Sequence, residues 1–166
     1  MATQTGFHWF SSQGISVMLF LMYGGFYILI GVLTPFFSES NQEKQGVIIS
    51  YRTDKKLFGE EPGKLMKDNK SLADLRKIML PMLAAMLLVS GLLIISIAWF
   101  ALRTNQAWSL IVLAIAGLVV LPYWWLVFKP YFDVGIRIRL ADAPPFIWDP
   151  AFLYLPAVIL GWIGLR

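Results

Sequence analysis

Side chains that could do chemistry are few in this sequence. His8 is the single histidine, and the chain contains no cysteine, which excludes disulfides, thiolate chemistry and cysteine-based metal centres within it. A neutral imidazole can bind haem iron or a chlorophyll-type magnesium, so His8, beside Trp9, is the candidate cofactor-binding residue. An interfacial aromatic side chain that binds no cofactor also explains the position. The sequence leaves the type of cofactor unknown.

Catalysis and ion-coupled transport need ionisable groups in a protected site. The first three apolar stretches of the chain contain no charged residue, and Asp149 stands near the start of the fourth. An aspartate followed by Pro150 is explained as the cap of a helix. These observations favour a protein that is not an enzyme and that does not couple transport to an ion.

The composition is that of a membrane protein. The chain is 58% hydrophobic and 14% charged, whereas soluble domains are about 45–50% apolar and about 25% charged. Four apolar stretches have the ~20 residues that a helix needs to cross a bilayer, and they cover residues 14–37, 78–102, 107–128 and 146–165. The sequence predicts a single all-α membrane domain with four transmembrane helices, a polar cytoplasmic loop over residues 38–77 and an inner loop over residues 129–145.

Local signals predict where these helices begin and bend. Ser71 and Asp74 have the spacing of a capping box, so we expect the second helix to begin near Ser71 in the aqueous phase. The short connection at residues 103–106 predicts that the second and third helices are antiparallel neighbours. Pro81 and Pro156 should kink the second and fourth helices, because proline removes a backbone donor.

The distribution of positive charge predicts the orientation. Of the 14 basic residues, nine lie in residues 38–77 and three in residues 129–148, and the other two are Arg103 and Arg166. Basic residues stay on the cytoplasmic side of short loops, which places both termini outside, most simply at a bacterial inner membrane. This clustering in loops argues against nucleic-acid binding.

The tryptophans fit the same topology, because tryptophan prefers the two membrane interfaces. This topology puts Trp9, Trp99, Trp108 and Trp162 near the outer interface and Trp124, Trp125 and Trp148 near the inner one.

Four residues in or directly before the first two apolar stretches are candidates for contacts with lipid or a partner chain. Arg76 and Lys77 directly precede the apolar run of the second helix and are placed to anchor it at anionic headgroups. Gly24 and Gly25 let another backbone approach closely. The approaching helix belongs either to this bundle or to another chain.

Arg137 and Arg139 alternate with apolar residues in the last polar loop. An extended segment would place both arginines on one face and the apolar side chains on the other. The arginines would then meet lipid phosphates or a partner while the apolar face lies in the membrane surface. Ion pairing with Asp133 or Asp142 is the alternative explanation.

These patterns favour a non-catalytic accessory subunit of a larger membrane protein complex, with energy-transducing complexes (respiratory or photosynthetic) as one class. Its expected partners are other integral membrane subunits and membrane lipids, with anionic headgroups at the inner face. The alternative function is a small transporter that handles lipids or small molecules as a homo-oligomer. Purification in mild detergent separates the two functions, because only a subunit leaves the membrane with fixed partners.

The charge distribution generates a topology prediction. Reporter fusions at Lys56 and at Asn105 should report opposite sides of the membrane, with Lys56 in the cytoplasm, because nine basic residues hold residues 38–77 there. Alkaline phosphatase and green fluorescent protein fusions measure the two sides independently. A cytoplasmic Asn105, or both positions on one side, would contradict the predicted orientation.

Overall fold

The structure is a computed structural model that describes residues 7–40, 46–139, 142 and 150–166. Over these residues the chain is helical and forms no strand, which confirms the all-α prediction. The helices, in chain order, are α1 (Ser12–Ser40), α2 (Tyr51–Phe58), α3 (Pro62–Asp68), α4 (Lys70–Phe100), α5 (Ala107–Asp133) and α6 (Leu155–Gly164).

Three helices are long and apolar enough to cross a membrane. They are Ser12–Phe36, Lys70–Thr104 and Ala107–Asp133, and they coincide with the first three predicted spans. The described apolar helix of the fourth stretch is Phe152–Gly164, which is shorter than the ~20 residues that a crossing needs. Trp148 and Asp149 lie outside the described residues, so the predicted cap of that helix does too.

The polar segment between the first two spans contains two short helices. Ser50 caps α2, where its Oγ accepts a hydrogen bond from the amide of Thr53 at 3.4 Å. Gly59 ends α2 in the left-handed conformation, with φ of 74°, which glycine adopts without a steric penalty. Pro62 then stands at the start of α3, where its missing amide donor is not needed.

The cap of α4 differs from the predicted one. The side-chain oxygen of Asn69 accepts a hydrogen bond from the amide of Leu72 at 3.1 Å, so Asn69 takes the role expected of Ser71. Asparagine caps helices as well as serine does, and the helix therefore begins at Lys70. Its 31 residues extend over ~46 Å at ~1.5 Å per residue, which exceeds a hydrocarbon core of ~30 Å.

The turn between α4 and α5 is as short as predicted. A single 3₁₀ turn, Leu102–Thr104, is followed by Asn105 in the left-handed conformation with φ of 63°, which asparagine tolerates better than most residues. α5 then runs to Asp133, five residues past the predicted end at residue 128. At Pro156, where the sequence predicts a kink in the fourth helix, the structure has a π-helical turn (Pro150–Tyr154) followed by α6. Pro156 lies in the first turn of α6.

Residues 7–28, 89–119 and 150–166 belong to one compact unit. Its buried core contains Val17, Phe20, Tyr23, Ala98, Leu102, Leu110, Leu113, Tyr154 and Ala157. Three polar side chains connect its helices. Gln13 Nε2 donates to the carbonyl of Leu102 at 2.6 Å and Ser16 Oγ to that of Ala157 at 2.6 Å, while the Tyr154 hydroxyl donates to the carbonyl of Leu113 at 2.9 Å. Such bonds are worth about 1–2 kcal/mol between membrane helices.

Gly24 and Gly25 have different environments, although the sequence predicts a single patch. A Cβ on Gly24 would lie 2.9 Å from the carbonyl oxygen of Gly91 and 2.8 Å from Cγ1 of Ile95. Gly24 therefore lets α1 and α4 approach within this chain, which is one of the two predicted roles. No described heavy atom would lie within 4 Å of a Cβ on Gly25, so Gly25 remains available to a partner.

The contrast between the two glycines predicts a stability difference. Gly24→Ala should destabilise the protein by about 1–3 kcal/mol, because the new methyl group meets the backbone of Gly91. Gly25→Ala is the matched control, and it should be neutral or stabilise by up to about 1 kcal/mol, because alanine favours helices. Unfolding of the detergent-solubilised protein by sodium dodecyl sulfate measures both. Equal effects of the two substitutions would contradict the close approach at Gly24.

Candidate functional site

A small core holds α2 against the end of α5. Ile49, Tyr131 and Ile136 are buried together, and Leu57, Phe128 and Ile138 pack around them. These residues lie in the second compact unit, which comprises residues 29–88 and 120–148 and of which residues 41–45, 140–141 and 143–148 are outside the described part. The core positions two charged segments, α2 and residues 134–139, beside each other.

The carboxylate of Asp54 is the polar centre of this core. The residue is fully buried, and its Oδ2 accepts hydrogen bonds from the amides of Ile48 at 2.7 Å and Ile49 at 3.2 Å. Its Oδ1 accepts from the hydroxyl of Tyr131 at 2.7 Å. Burial of a carboxylate is unfavourable unless donors replace water, and here donors from two separate segments do so. The carboxylate therefore ties α2 to α5.

The sequence did not identify Asp54 as a site residue. It is one of seven acidic residues in the segment 38–77, and acidic residues in a polar segment are ordinarily solvated. The available signal was its position in the first turn after Ser50, because a carboxylate is stabilised at a helix N-terminus. Nothing local indicated that Tyr131, 77 residues later in the chain, would donate to it.

The chain turns sharply at the end of α5. Gly135 adopts the left-handed conformation with φ of 74°, and its amide donates to the carbonyl of Phe132 at 2.9 Å, while the amide of Ile136 donates to that of Tyr131 at 2.8 Å. These two bonds and the apolar contact of Ile136 with Tyr131 form a Schellman motif. The turn sends residues 136–139 back along the core.

Four basic side chains surround a pocket of about 490 Å³ beside this turn. Arg52 and Lys56 are four residues apart and share one face of α2. Arg137 and Arg139 are exposed, whereas Ile136 and Ile138, which alternate with them along the chain, pack into the core. The described residues lining this pocket, called the basic pocket below, are Arg52, Lys56, Val134, Gly135, Ile136, Arg137 and Arg139.

One described carboxylate reaches the edge of the basic pocket. Asp142 Oδ1 lies 3.8 Å from Nη1 of Arg52, and its Oδ2 accepts from the backbone amide of Arg139 at 3.2 Å. Within the described chain, neither guanidinium of Arg137 and Arg139 forms an ion pair with a carboxylate. Ion pairing with Asp133 or Asp142, the alternative explanation for the two arginines, is therefore not seen in the described part of the chain. The apolar face of the segment covers the protein core instead of lying in the membrane surface.

An open apolar groove adjoins the basic pocket. It has a volume of about 630 Å³ and is lined by Phe132, Gly135, Ile136, Arg137 and Ile138. Gly135, Ile136 and Arg137 line both concavities, so positive charge and apolar surface meet at one place. The described lining offers hydrogen-bond donors and positive charge, but it contains no histidine, carboxylate or hydroxyl side chain. Such a lining is chemically suited to an anion that has an apolar part.

The two predicted anchors of the second helix have different surroundings. Lys77 is exposed and remains a candidate for headgroup contact. Arg76 is half-buried, and the negative charge of Asp54 acts on its guanidinium. Headgroup contact by Arg76 stays a prediction.

His8 lies in the turn that precedes α1. Its backbone carbonyl accepts hydrogen bonds from the amide of Ser11 at 3.1 Å and from the Ser11 hydroxyl at 2.7 Å, and its side chain is exposed. Nearby, the guanidinium of Arg103 stacks 4.5 Å from the ring centroid of Trp99, a cation–π contact. Among the described residues, no group of three or more potential ligands could hold a metal ion. Cofactor binding by His8 stays a prediction.

Comparison with models of known protein families finds no match to this chain. Comparisons with curated proteins and with solved structures likewise find none. The function must therefore be inferred from the residues and their arrangement.

The link between Asp54 and Tyr131 predicts a local loss of stability. Tyr131→Phe should destabilise the protein by about 1.5–3 kcal/mol, because it removes one hydrogen bond to a buried carboxylate. Tyr123→Phe removes a hydroxyl from an exposed tyrosine of the same helix and should change stability by less than about 0.5 kcal/mol. Thermal unfolding in detergent measures the difference. Identical midpoints for the two variants would show that the carboxylate does not depend on Tyr131.

Proposed function

We propose that this chain is a non-catalytic accessory subunit of a larger membrane protein complex. The observation that carries the proposal is the exposure of its long helices. In the most apolar stretch of each helix, 11% of the residues are buried in Lys70–Thr104 and 11% in Ala107–Asp133. In the corresponding stretch of Ser12–Phe36, 33% of the residues are buried. Helices that cover one another so little leave most of their apolar surface to lipid or to helices of other chains.

The polar side chains at membrane depth support a structural role. Gln13, Ser16 and Tyr154 each donate a hydrogen bond to a backbone carbonyl of another segment. Their donors are used for packing, which is the ordinary role of such residues between membrane helices. An energy-transducing complex, respiratory or photosynthetic, is the class of assembly that we propose for this subunit.

The open face of α1 is the proposed contact with the partner. Met18, Met22 and Gly25 lie at spacings of four and three residues, so they share one face of the helix. Gly25 has open space above it, and Met22 is 59% exposed. Flexible methionine side chains adapt to an apposed surface, while glycine allows close approach of a backbone. The expected occupant is an apolar helix of another integral membrane chain.

The topology proposed with this function has four spans and both termini outside, at a bacterial inner membrane. The clustering of 12 of the 14 basic residues in residues 38–77 and 129–148 supports it. In this arrangement the basic pocket faces the cytoplasm.

The second candidate function is a homo-oligomeric transporter of lipids or small molecules. The basic pocket and its adjoining groove favour it.

Purification from native membranes tests the subunit proposal. In mild detergent the chain should retain a specific membrane protein in fixed stoichiometry. Gly25→Leu should lower the retained amount several-fold while the variant still inserts, because the added side chain separates the helices. Ala116→Leu is the control, since it places the same leucine side chain at an exposed position of α5, and it should retain the partner. A chain that purifies alone, or only with copies of itself, and transports a substrate would establish the second function instead.

A further inference from the structure

We propose that the basic pocket binds the phosphate group of an anionic phospholipid, whose acyl chains lie along the adjoining apolar groove. This binding site goes beyond the accessory-subunit function and does not depend on it. The chemistry recognised is a phosphate ester joined to an apolar part. The alternative source of that phosphate is a soluble molecule without acyl chains.

The charge of the pocket favours an anion. Arg52, Lys56, Arg137 and Arg139 line it, and the described carboxylate at its edge, Asp142, contacts Arg52 alone among these side chains. Like charges gathered around one concavity repel each other unless an anion lies between them. Arginine forks match phosphate oxygens with two parallel hydrogen bonds, so a phosphate group uses this set of side chains better than a simple halide would.

The scaffold of the pocket is formed before any ligand arrives. One wall is a face of α2, and the buried Asp54 bonds that helix to Tyr131 at 2.7 Å. The other wall is the segment after Gly135, whose Ile136 is buried in the same core. Both walls are thus held by contacts within the same small core. Binding to a preformed site avoids the entropy cost of ordering backbone segments.

The position of the pocket favours a lipid over a soluble phosphate compound. It directly follows α5, a helix apolar enough to cross a membrane, and the ends of such helices lie at the headgroup level. Phe132 and Val134, at this end, are 43% and 62% exposed. The apolar groove shares Gly135, Ile136 and Arg137 with the pocket. A soluble phosphate compound would leave that groove unused, whereas a phospholipid fills both parts.

Native mass spectrometry of the full chain in a neutral detergent tests the site. The probes are phosphatidylglycerol, which is anionic, phosphatidylcholine, which carries no net charge, and two soluble phosphates, glycerol 3-phosphate and inorganic phosphate. We expect phosphatidylglycerol to bind more tightly than the other three. Arg137→Gln combined with Arg139→Gln should weaken its binding by roughly 10- to 30-fold, since each basic residue near an anionic surface contributes about fivefold.

Two further variants separate a specific site from general charge and from misfolding. Lys64→Gln combined with Lys70→Gln removes the same charge from exposed positions outside the pocket and should leave phosphatidylglycerol binding within about twofold of the original protein, because screened surface charges contribute little. Arg137→Lys combined with Arg139→Lys keeps the charge but loses the paired donors of each guanidinium, so it should bind phosphatidylglycerol more tightly than the glutamine variant and less tightly than the original protein.

Three results would overturn this site. If the combined Lys64→Gln and Lys70→Gln variant lost as much phosphatidylglycerol binding, the effect would be due to surface charge in general and not to the basic pocket. Equal affinity for phosphatidylcholine, whose phosphate charge is balanced by its choline group, would show that the net negative charge of the lipid is not recognised. Glycerol 3-phosphate or inorganic phosphate binding as tightly as the lipid would make this a site for soluble phosphate compounds, because the apolar groove would then contribute nothing.

Discussion

The buried carboxylate of Asp54 is the interaction on which the polar part of this molecule depends. It accepts hydrogen bonds from two successive backbone amides and from the hydroxyl of Tyr131. A charge buried in this way is tolerated only while its donors stay in place, so the carboxylate specifies the position of α2 against the end of α5. The basic pocket exists because that position brings two pairs of cations together.

In the apolar part of the molecule, polar groups also need partners within the protein, and there the surrounding solvent would be lipid. Inside a bilayer no water can satisfy a backbone or side-chain donor, and the polar side chains of the first unit therefore donate to carbonyls of neighbouring segments. Ser16 bonds to Ala157, and Tyr154 bonds to Leu113. Gly24 and Gly91 add a close backbone approach between α1 and α4. Packing of this kind replaces the hydrophobic effect, which drives no association between helices in lipid.

The two parts suggest how a small chain could serve a larger assembly. Long helices with little mutual burial leave apolar surface exposed, which lipid or the helices of the proposed partner would cover. The segments beyond the membrane-compatible helices carry most of the positive charge, and a small core that they share with the end of α5 organises them. A phospholipid in the basic pocket would lie at the end of α5, a helix that is apolar enough to cross a membrane.

Much of the fold could be read from the sequence, because its signals are local. The length of an apolar run decides whether a helix can cross a bilayer, and three of the predicted spans correspond to helices of the structure. The tight turn before Ala107 and the alternation of isoleucine with arginine at residues 136–139 were also visible. Helix boundaries were less accurate, because Asn69 and Ser71 are both good caps and only the structure shows that Asn69 is used.

The candidate site was decided by the tertiary structure. The sequence identified Arg137 and Arg139 but not Arg52 and Lys56, because residues distant in the chain become neighbours only when a core holds them together. It placed the apolar face of residues 136–139 in the membrane surface, whereas Ile136 is buried against Ile49 and Tyr131. It also grouped Gly24 with Gly25, although one faces α4 and the other open space. Sequence periodicity shows which residues share a face, but only the packing of distant segments determines what that face contacts.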